Sequence, residues 1–309
     1  MNADILSNPG LDAATVRDFS RRNDAAGIRY LVAHTLMIAV AMALLASAQH
    51  VALQILWTLL VGILLAFLFA PLHESIHKTA FRSGSWNRIT GIVCGLILLL
   101  PPSYFRCFHM AHHRHTQIQG QDPELDASKP STITDYLLYM SGFSYWREQF
   151  TMLISYALGI RQDRYVSDGK YADVVKEVRA FVIVYSILVA ASILFESWAI
   201  VEYWLLPMAL GQPFLRGFLL SEHTLCPVVP DMLQNTRTTL TNRIVRRLCW
   251  NMNYHAEHHA WPSVPFHRLP EAHQRIRADL PNLDAGYLVV HSKILRSLST
   301  ESSQHDEAH

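Results

Sequence analysis

The sequence predicts an all-α integral membrane protein: four transmembrane helices in two hairpins, with interfacial helices and a cytosolic cap holding a His-rich di-metal site. Three observations predict it. Half of the 309 residues are hydrophobic and only 17% are charged, against about a quarter in ordinary soluble domains. The apolar residues come in long uncharged blocks. The histidines, 17 in all, are concentrated in three clusters: His73-Glu74-Ser75-Ile76-His77, His109-Met110-Ala111-His112-His113 and His255-Ala256-Glu257-His258-His259. A net charge of +1 gives no electrostatic footprint for nucleic acid.

Taken in order, residues 1–29 are polar and mixed in charge, without the apolar core of a cleavable signal, and are expected to be cytosolic. Residues 30–48 are uncharged and long enough to cross a hydrocarbon core of about 30 Å. After the short link Gln49-His50, residues 51–72 form a second uncharged run, so the two make a hairpin, with His73 and His77 just beyond its end. Residues 89–100 are apolar but stop at Pro101-Pro102. A run of about 12 residues suits a re-entrant or interfacial helix, and a full crossing would separate the first two histidine clusters. Residues 117–135 are polar, with loop signals at Asp122-Pro123-Glu124 and Lys129-Pro130. Residues 151–160 read as interfacial. Residues 180–195 and 203–221 form the second hairpin, and Arg216 lies inside its last run, where a charge marks function or snorkels.

One domain is expected over 1–309: the N-terminal segment, a membrane region 30–225 with the first two clusters, a cytosolic region 226–297 with the third, and a disordered tail 298–309. Arg17, Arg21, Arg22 and Arg29 precede the first span, and no Lys or Arg lies in the links 49–50 and 196–202. Apart from Arg216, the remaining basic residues flank the histidine clusters, so every cluster faces the cytoplasm. The cysteines Cys94, Cys107, Cys226 and Cys249 form no C-x-x-C pair and read as reduced, inert thiols.

Imidazole is the commonest metal ligand. On a helix, positions i, i+3 and i+4 share a face, so each H-x-x-H-H can direct three rings to one place. The eight clustered histidines, His73, His77, His109, His112, His113, His255, His258 and His259, are about twice what one metal needs. Two metals fit better, for oxygen activation by iron or two-metal hydrolysis. One motif points elsewhere: residues 73–77 also read H-E-x-x-H, the zinc-protease signature with Glu74 as general base. That reading leaves six histidines unexplained, and Glu74 is expected to support the ligands or cap a helix. Glu257 and Arg114 read either as partners of ligating rings or as a solvated face. His34, His50, His115, His267, His273, His291, His305 and His309 get no ligand role.

The order H-x-x-x-H, H-x-x-H-H, H-x-x-H-H around two hydrophobic hairpins resembles the membrane fatty acid desaturase and hydroxylase superfamily, from about residue 72 to residue 270. The flanks resemble its bacterial members: His113-Arg114-His115-Thr116-Gln117 leading to Asp122-Pro123-Glu124-Leu125, then Asn235-Thr236-Arg237-Thr238-Thr239, and Pro262-Ser263-Val264-Pro265 after the third cluster. The resemblance implies a di-iron enzyme in a bacterial inner membrane that uses O2 as co-substrate on an aliphatic C–H bond. It also implies a ninth ligand at the cytosolic end of the fourth span, where His223 stands. Some relatives carry a water-bridging Asn one turn earlier, where this chain has Leu219. Asn253 is the candidate substitute, or else a helix cap.

The function expected is desaturation of a fatty acyl chain or similar lipid. The alternative is hydroxylation or ketolation of another aliphatic substrate, a carotenoid or small amino compound, and an intramembrane zinc protease is the remote one. Electrons are expected from an external carrier, ferredoxin-like or similar, docking on the basic cytosolic face near Arg243, Arg246 and Arg247, a patch that could equally rest on anionic lipid.

Overall fold

The computed structural model describes residues 10–127 and 129–306, with side chains up to residue 300. Among the described residues the regular structure is helical apart from one two-residue parallel pairing, β1 (Thr238–Thr239) on β2 (Leu283–Asp284). After a short helix α1 (Ala13–Phe19), α2 runs over Asp24–Ser47. It begins earlier than the apolar run at residue 30 because the Asn23 side chain accepts from the N–H groups of Ala25 and Ala26, a helix cap that the hydropathy does not register. Helix α3 (Val51–Ala66) continues through a break at Phe67-Leu68 into α4 (Phe69–His77), which carries the first histidine cluster on its last turns.

Among the described residues three helices are long and apolar enough to cross a membrane: Asp24–Ser47, Val51–His77 and α9 (Asp168–Leu194). The second is 61% buried over its most apolar window and the other two 11%, so α3–α4 is central, while α2 and α9 present Leu36, Val40, Ile187 and Ile193 outward. The fourth expected span, 203–221, falls on a π-helical turn (Val201–Leu205) and α10 (Leu206–His223). It is not among the three by composition, because it carries Gln212, Arg216 and Glu222. It still packs at the centre. A Cβ at Gly62 would lie 2.0 Å from the Pro207 carbonyl oxygen, and one at Gly211 2.0 Å from that of Gly62, so α3 and α10 meet backbone to backbone.

Helix α5 (Gly84–Leu98) is followed by α6 (Pro102–His115) at a bend of 96°. Leu99 adopts a left-handed φ of 57°, and Pro101-Pro102 prevents α5 from continuing. The bend turns α6 so that its histidines reach those of α4. Helices α7 (Ile133–Met140) and α8 (Phe143–Leu158) follow. They expose Leu137, Leu138, Phe143, Phe150, Ile154 and Leu158, an apolar face that suits the membrane interface. The cap comprises α11 (Met232–Asn235), α12 (Arg243–Leu248), α13 (His255–Ala260), α14 (Leu269–Ile276) and α15 (Tyr287–Asp306). Its core of Trp250, Phe266, Leu269 and Ile276 also takes in Phe19 and Leu11, so the N-terminal segment packs on the cap.

The tail expected to be disordered from residue 298 is helical to Asp306. Val290, Ile294 and Leu298, spaced i, i+4 and i+8, form a stripe against Leu220. His309 lies outside the described residues, and the side chain of His305 is not described.

Candidate metal centre

The nine histidines singled out by sequence meet in one place, as two groups. His73, His77, His109, His113 and His258 form the first; His112, His223, His255 and His259 form the second. Within each group one nitrogen per ring lies within 4.8 Å of the others. Helical register explains the division. In α6 the i, i+4 pair His109 and His113 joins the first group, and His112 between them turns to the second. In α13 the pair His255 and His259 joins the second group, and His258 turns to the first. Each H-x-x-H-H thus serves both groups, and the His113 and His259 rings stack across the boundary at 4.1 Å.

Hydrogen bonds at the outer nitrogens fix the rings. His112 Nδ1 donates to Asp122 at 2.9 Å. His223 Nδ1 donates to the Asn235 carbonyl at 3.2 Å, and His259 Nδ1 to the Thr116 hydroxyl at 3.2 Å, which itself donates to the His112 carbonyl. Each of these rings therefore carries its proton outward and leaves Nε2 as an inward lone pair. The Nε2 atoms of His77, His112, His223 and His259 are buried and have no partner, which a native interior rarely tolerates. In the first group His113 Nε2 lies 2.9 Å from His109 Nε2 and 3.1 Å from His258 Nε2, the spacing of adjacent ligands around an ion with bonds of about 2.1 Å. Burial pushes His258 down to about 3 and holds His255 and His259 well below the ordinary histidine range, so these rings are neutral, the form that binds a metal. The donor set fits two metal ions.

Carboxylates lie beside the clusters. Asp122 also accepts from the N–H groups of Gln117 and Glu124. Burial raises its carboxyl, but these bonds and His112 outweigh that and hold it below the usual carboxylate range. Glu222 lies 3.3 Å from His255 Nδ1 and Glu124 3.6 Å from His112 Nδ1. Adjacency to His223 was the one sequence signal for Glu222.

Other expectations need correction. Glu257 is neither a partner of a ligating ring nor solvated: it is fully buried and binds His273 Nδ1 at 2.5 Å and the Thr238 hydroxyl. His273, which was given no ligand role, is accordingly buried. Asn253 makes no capping hydrogen bond to α13; its amide donates to the Thr239 carbonyl at 3.1 Å, tying the third cluster to β1. Glu74 accepts from the Thr79 hydroxyl at 2.9 Å and from the Phe266 N–H at 3.1 Å. It braces α4 against the segment after the third cluster. Arg246 donates to the Tyr254 hydroxyl, while Arg247 lies 3.4 Å above the Tyr30 ring and donates to the Arg29 carbonyl. Arg246 is thus committed within the cap and Arg247 to α2, and of the three only Arg243 is exposed.

A cavity of ≈ 680 Å³ opens beside the clusters. His73, His109 and His255, one from each sequence cluster, line it together with Phe67, Phe69, Phe105, Phe108 and Phe218.

A family model for fatty acid desaturases matches residues 49–291, which takes in α3 to α14 and all nine histidines. The chain belongs to the fatty acid desaturase family. It is 27% identical over 257 residues to an sn-1 oleoyl-lipid 12-desaturase of Picosynechococcus, covering 76% of this chain and 72% of the relative. It is 28% identical to a DES1-like sphingolipid delta(4)-desaturase of Arabidopsis thaliana over 65% of this chain and 57% of the relative. A beta-carotene ketolase of Paracoccus is 26% identical over 52% of this chain and 54% of its own length. The family is one of membrane-bound metalloenzymes, and this desaturase-family chain is an oxidoreductase with histidine clusters that could hold metal.

Proposed function

We propose that this chain is a membrane-bound, O2-dependent di-iron desaturase that introduces a double bond into a fatty acyl chain or similar aliphatic lipid. The observation that carries the reading is the pair of all-imidazole groups, mostly buried, at the wall of a cavity lined in part by phenylalanines. In this reading His73, His77, His109, His113 and His258 hold one iron, and His112, His223, His255 and His259 the other. The iron pair supplies the activation of O2 that oxidation of an unactivated C–H bond requires. The chain orients the rings through Asp122, Thr116 and Asn235, keeps them neutral by burial, and walls the site against bulk water with the phenylalanines of α4 and α6. An external carrier, ferredoxin-like or similar, provides two electrons, so that O2, two protons and –CH2–CH2– become two waters and –CH=CH–.

The same reading makes residues 1–309 one domain. The membrane is crossed four times, with the π turn and α10 as the last span and α5–α6 re-entrant. The histidines face the cytoplasm, in an inner membrane if the source is bacterial. The ketolase among the relatives supports a second outcome, oxygen insertion into another aliphatic substrate.

Protein purified anaerobically from iron-replete cells should hold close to two irons per chain; one zinc, with no iron taken up on reconstitution, would sink the di-iron reading. Expression with a competent donor in cells lacking their own desaturases should give a product lighter by two hydrogens. A product heavier by one oxygen, without alkene, moves the protein to the hydroxylase reading.

A further inference from the structure

Among the described residues four tyrosines line the cavity, and they are of two kinds. Tyr139 and Tyr145 lie beside Arg216, whose guanidinium is 5.9 Å and 4.5 Å from their ring centroids, and the Tyr145 hydroxyl donates to the Leu98 carbonyl. Tyr104, on α6, and Tyr165, in the loop before α9, meet hydroxyl to hydroxyl at 2.7 Å. They head a run of touching rings. Tyr104 packs edge-on against Tyr156 of α8 with centroids 5.5 Å apart, and Tyr156 lies 6.1 Å from Tyr171 of α9. Tyr156 is fully buried and Tyr171 half-buried, so the run leads from the cavity wall toward the surface.

Its inner end lies close to the first histidine group. Tyr104 precedes His109 by five residues of α6, about 7.5 Å along the axis at 1.5 Å per residue. Phe105 packs on the His109 ring at 5.3 Å, and Phe108, the neighbour of His109, on Tyr165 at 5.4 Å. The outer part of the run has a base. The Tyr156 hydroxyl donates to the Asp163 carboxylate at 3.1 Å, and Arg161 Nε holds that carboxylate at 3.0 Å. Asp163 lines the cavity as well. A phenol that loses an electron becomes a strong acid, so tyrosine gives up an electron readily only with a proton acceptor within hydrogen-bond reach, about 2.6–3.2 Å. Tyr156 has one. Tyr145, with a backbone carbonyl as partner and a guanidinium on its ring, is poorly placed for oxidation.

We propose that Tyr165, Tyr104, Tyr156 and Tyr171 form a relay that drains oxidising equivalents from the metal centre when O2 is reduced with no substrate in the cavity. This rests on the reading of the histidine groups as an oxidative metal centre. Each step moves one electron inward from a tyrosine. At Tyr156 the phenolic proton passes to Asp163, which leaves a neutral tyrosyl radical. At the surface a one-electron reductant of the ascorbate class restores the tyrosine, and the proton returns from Asp163. Two such transfers replace the two electrons and two protons that –CH2–CH2– would have given. With two electrons from the carrier, O2, four electrons and four protons then become two waters. An oxidant able to attack an unactivated C–H bond is thereby kept from the imidazole and phenyl rings around it.

The test uses the full-length, iron-loaded protein, reduced anaerobically, freed of excess reductant, mixed with O2 without substrate and freeze-quenched for electron paramagnetic resonance. Wild type should show a tyrosyl radical that ascorbate quenches. Tyr104→Phe with Tyr165→Phe should lower its yield at least tenfold at unchanged iron content, and Tyr145→Phe should leave it as in wild type. Tyr156→Phe and Asp163→Asn, which cut the outlet, should each slow quenching by ascorbate at least tenfold. After repeated exposure to O2, peptide mass spectrometry should find more oxidised His109 and Phe105 in the double variant than in wild type. If the double variant fails to fold, the two outlet variants carry the test. Iron oxidised by O2 with no tyrosyl radical, an undiminished radical in the double variant, or wild-type quenching in both outlet variants would overturn the relay and leave the oxidase reading intact. Iron that O2 does not oxidise would overturn both.

Discussion

At His112 a single hydrogen bond decides which nitrogen faces inward. Asp122 takes the Nδ1 proton and is itself held by the N–H groups of Gln117 and Glu124, so the ring cannot rotate without leaving buried polar atoms unmet. Asp122→Asn keeps the volume but loses the charge that favours this tautomer. It should lower metal retention about 10–100-fold, read as metal remaining after dialysis against a graded chelator, and retention equal to wild type would reduce Asp122 to a loop brace. Glu74 makes the opposite case. Its Oε2 is held by Thr79 and Phe266 and its Oε1 lies 3.7 Å from His73 Nδ1, bracing contacts that an amide partly keeps, so Glu74→Gln should keep part of the activity while His255→Ala abolishes it. The reverse ranking would restore the protease reading. Cys249 is buried, and burial pushes its thiol up to about 12. Since only the thiolate reacts, Cys249 should resist maleimide at pH 8 in the folded protein and react after denaturation, as mass spectrometry would show.

Among the elements, the α3–α10 contact has the least room for change. Gly62 and Gly211 face each other's backbone, and the smallest side chain at either would sit 2.0 Å from a carbonyl oxygen. Gly211→Ala must therefore push the helices apart and should cost about 1–3 kcal/mol or more, seen as a lower melting temperature together with lost metal, because His223 ends the same helix. Gly169→Ala, with open space around its Cβ position, is the control expected to be neutral. This is also the scale at which sequence and structure diverge. The hairpin of α2 and α3 and the break that ends the apolar run 89–100 were legible because each depends on a local run and its punctuation, an uncharged block or a Pro-Pro. The grouping of the eight clustered histidines was legible because helical register is local too, whereas His223 was reached only through the family resemblance. What holds them was not. Asn235 reaches His223 across 12 residues, Thr116 reaches His259 across 143, and Phe266 reaches Glu74 across 192. Such pairs leave no trace in spacing. The helical tail was missed because the stripe of Val290, Ile294 and Leu298 is short and set among polar residues, and only the Leu220 surface makes it a buried face.

For the whole molecule the open question is which helices cross. The first and second clusters sit at the ends of α4 and α6, and their rings touch, with His73 and His109 centroids 4.4 Å apart. They must therefore lie on one side of any bilayer. Between them run α5 and the 96° bend. Over its 15 residues α5 is about 22 Å long at 1.5 Å per residue, short of a hydrocarbon core of about 30 Å. If α5–α6 dips and returns, α10 must supply the fourth crossing despite Gln212 and Arg216, and it can do so because its polar side faces α3, α8 and the cavity instead of lipid. Single cysteines decide the matter. Cys107 is the one native cysteine that is not buried, so the background is Cys107→Ser. His50→Cys and Ala199→Cys, both exposed in the links between helices, should label with a membrane-impermeant maleimide only from outside the cytoplasm. Gln121→Cys, after α6, and Ile244→Cys, in the cap, both exposed as well, should label only from inside. Labelling at 199 from the inside would mean that α9 does not cross with α10. Labelling at 121 from the outside would mean that α5–α6 spans the membrane, and the contact between the first two clusters could not then exist in the membrane-embedded protein.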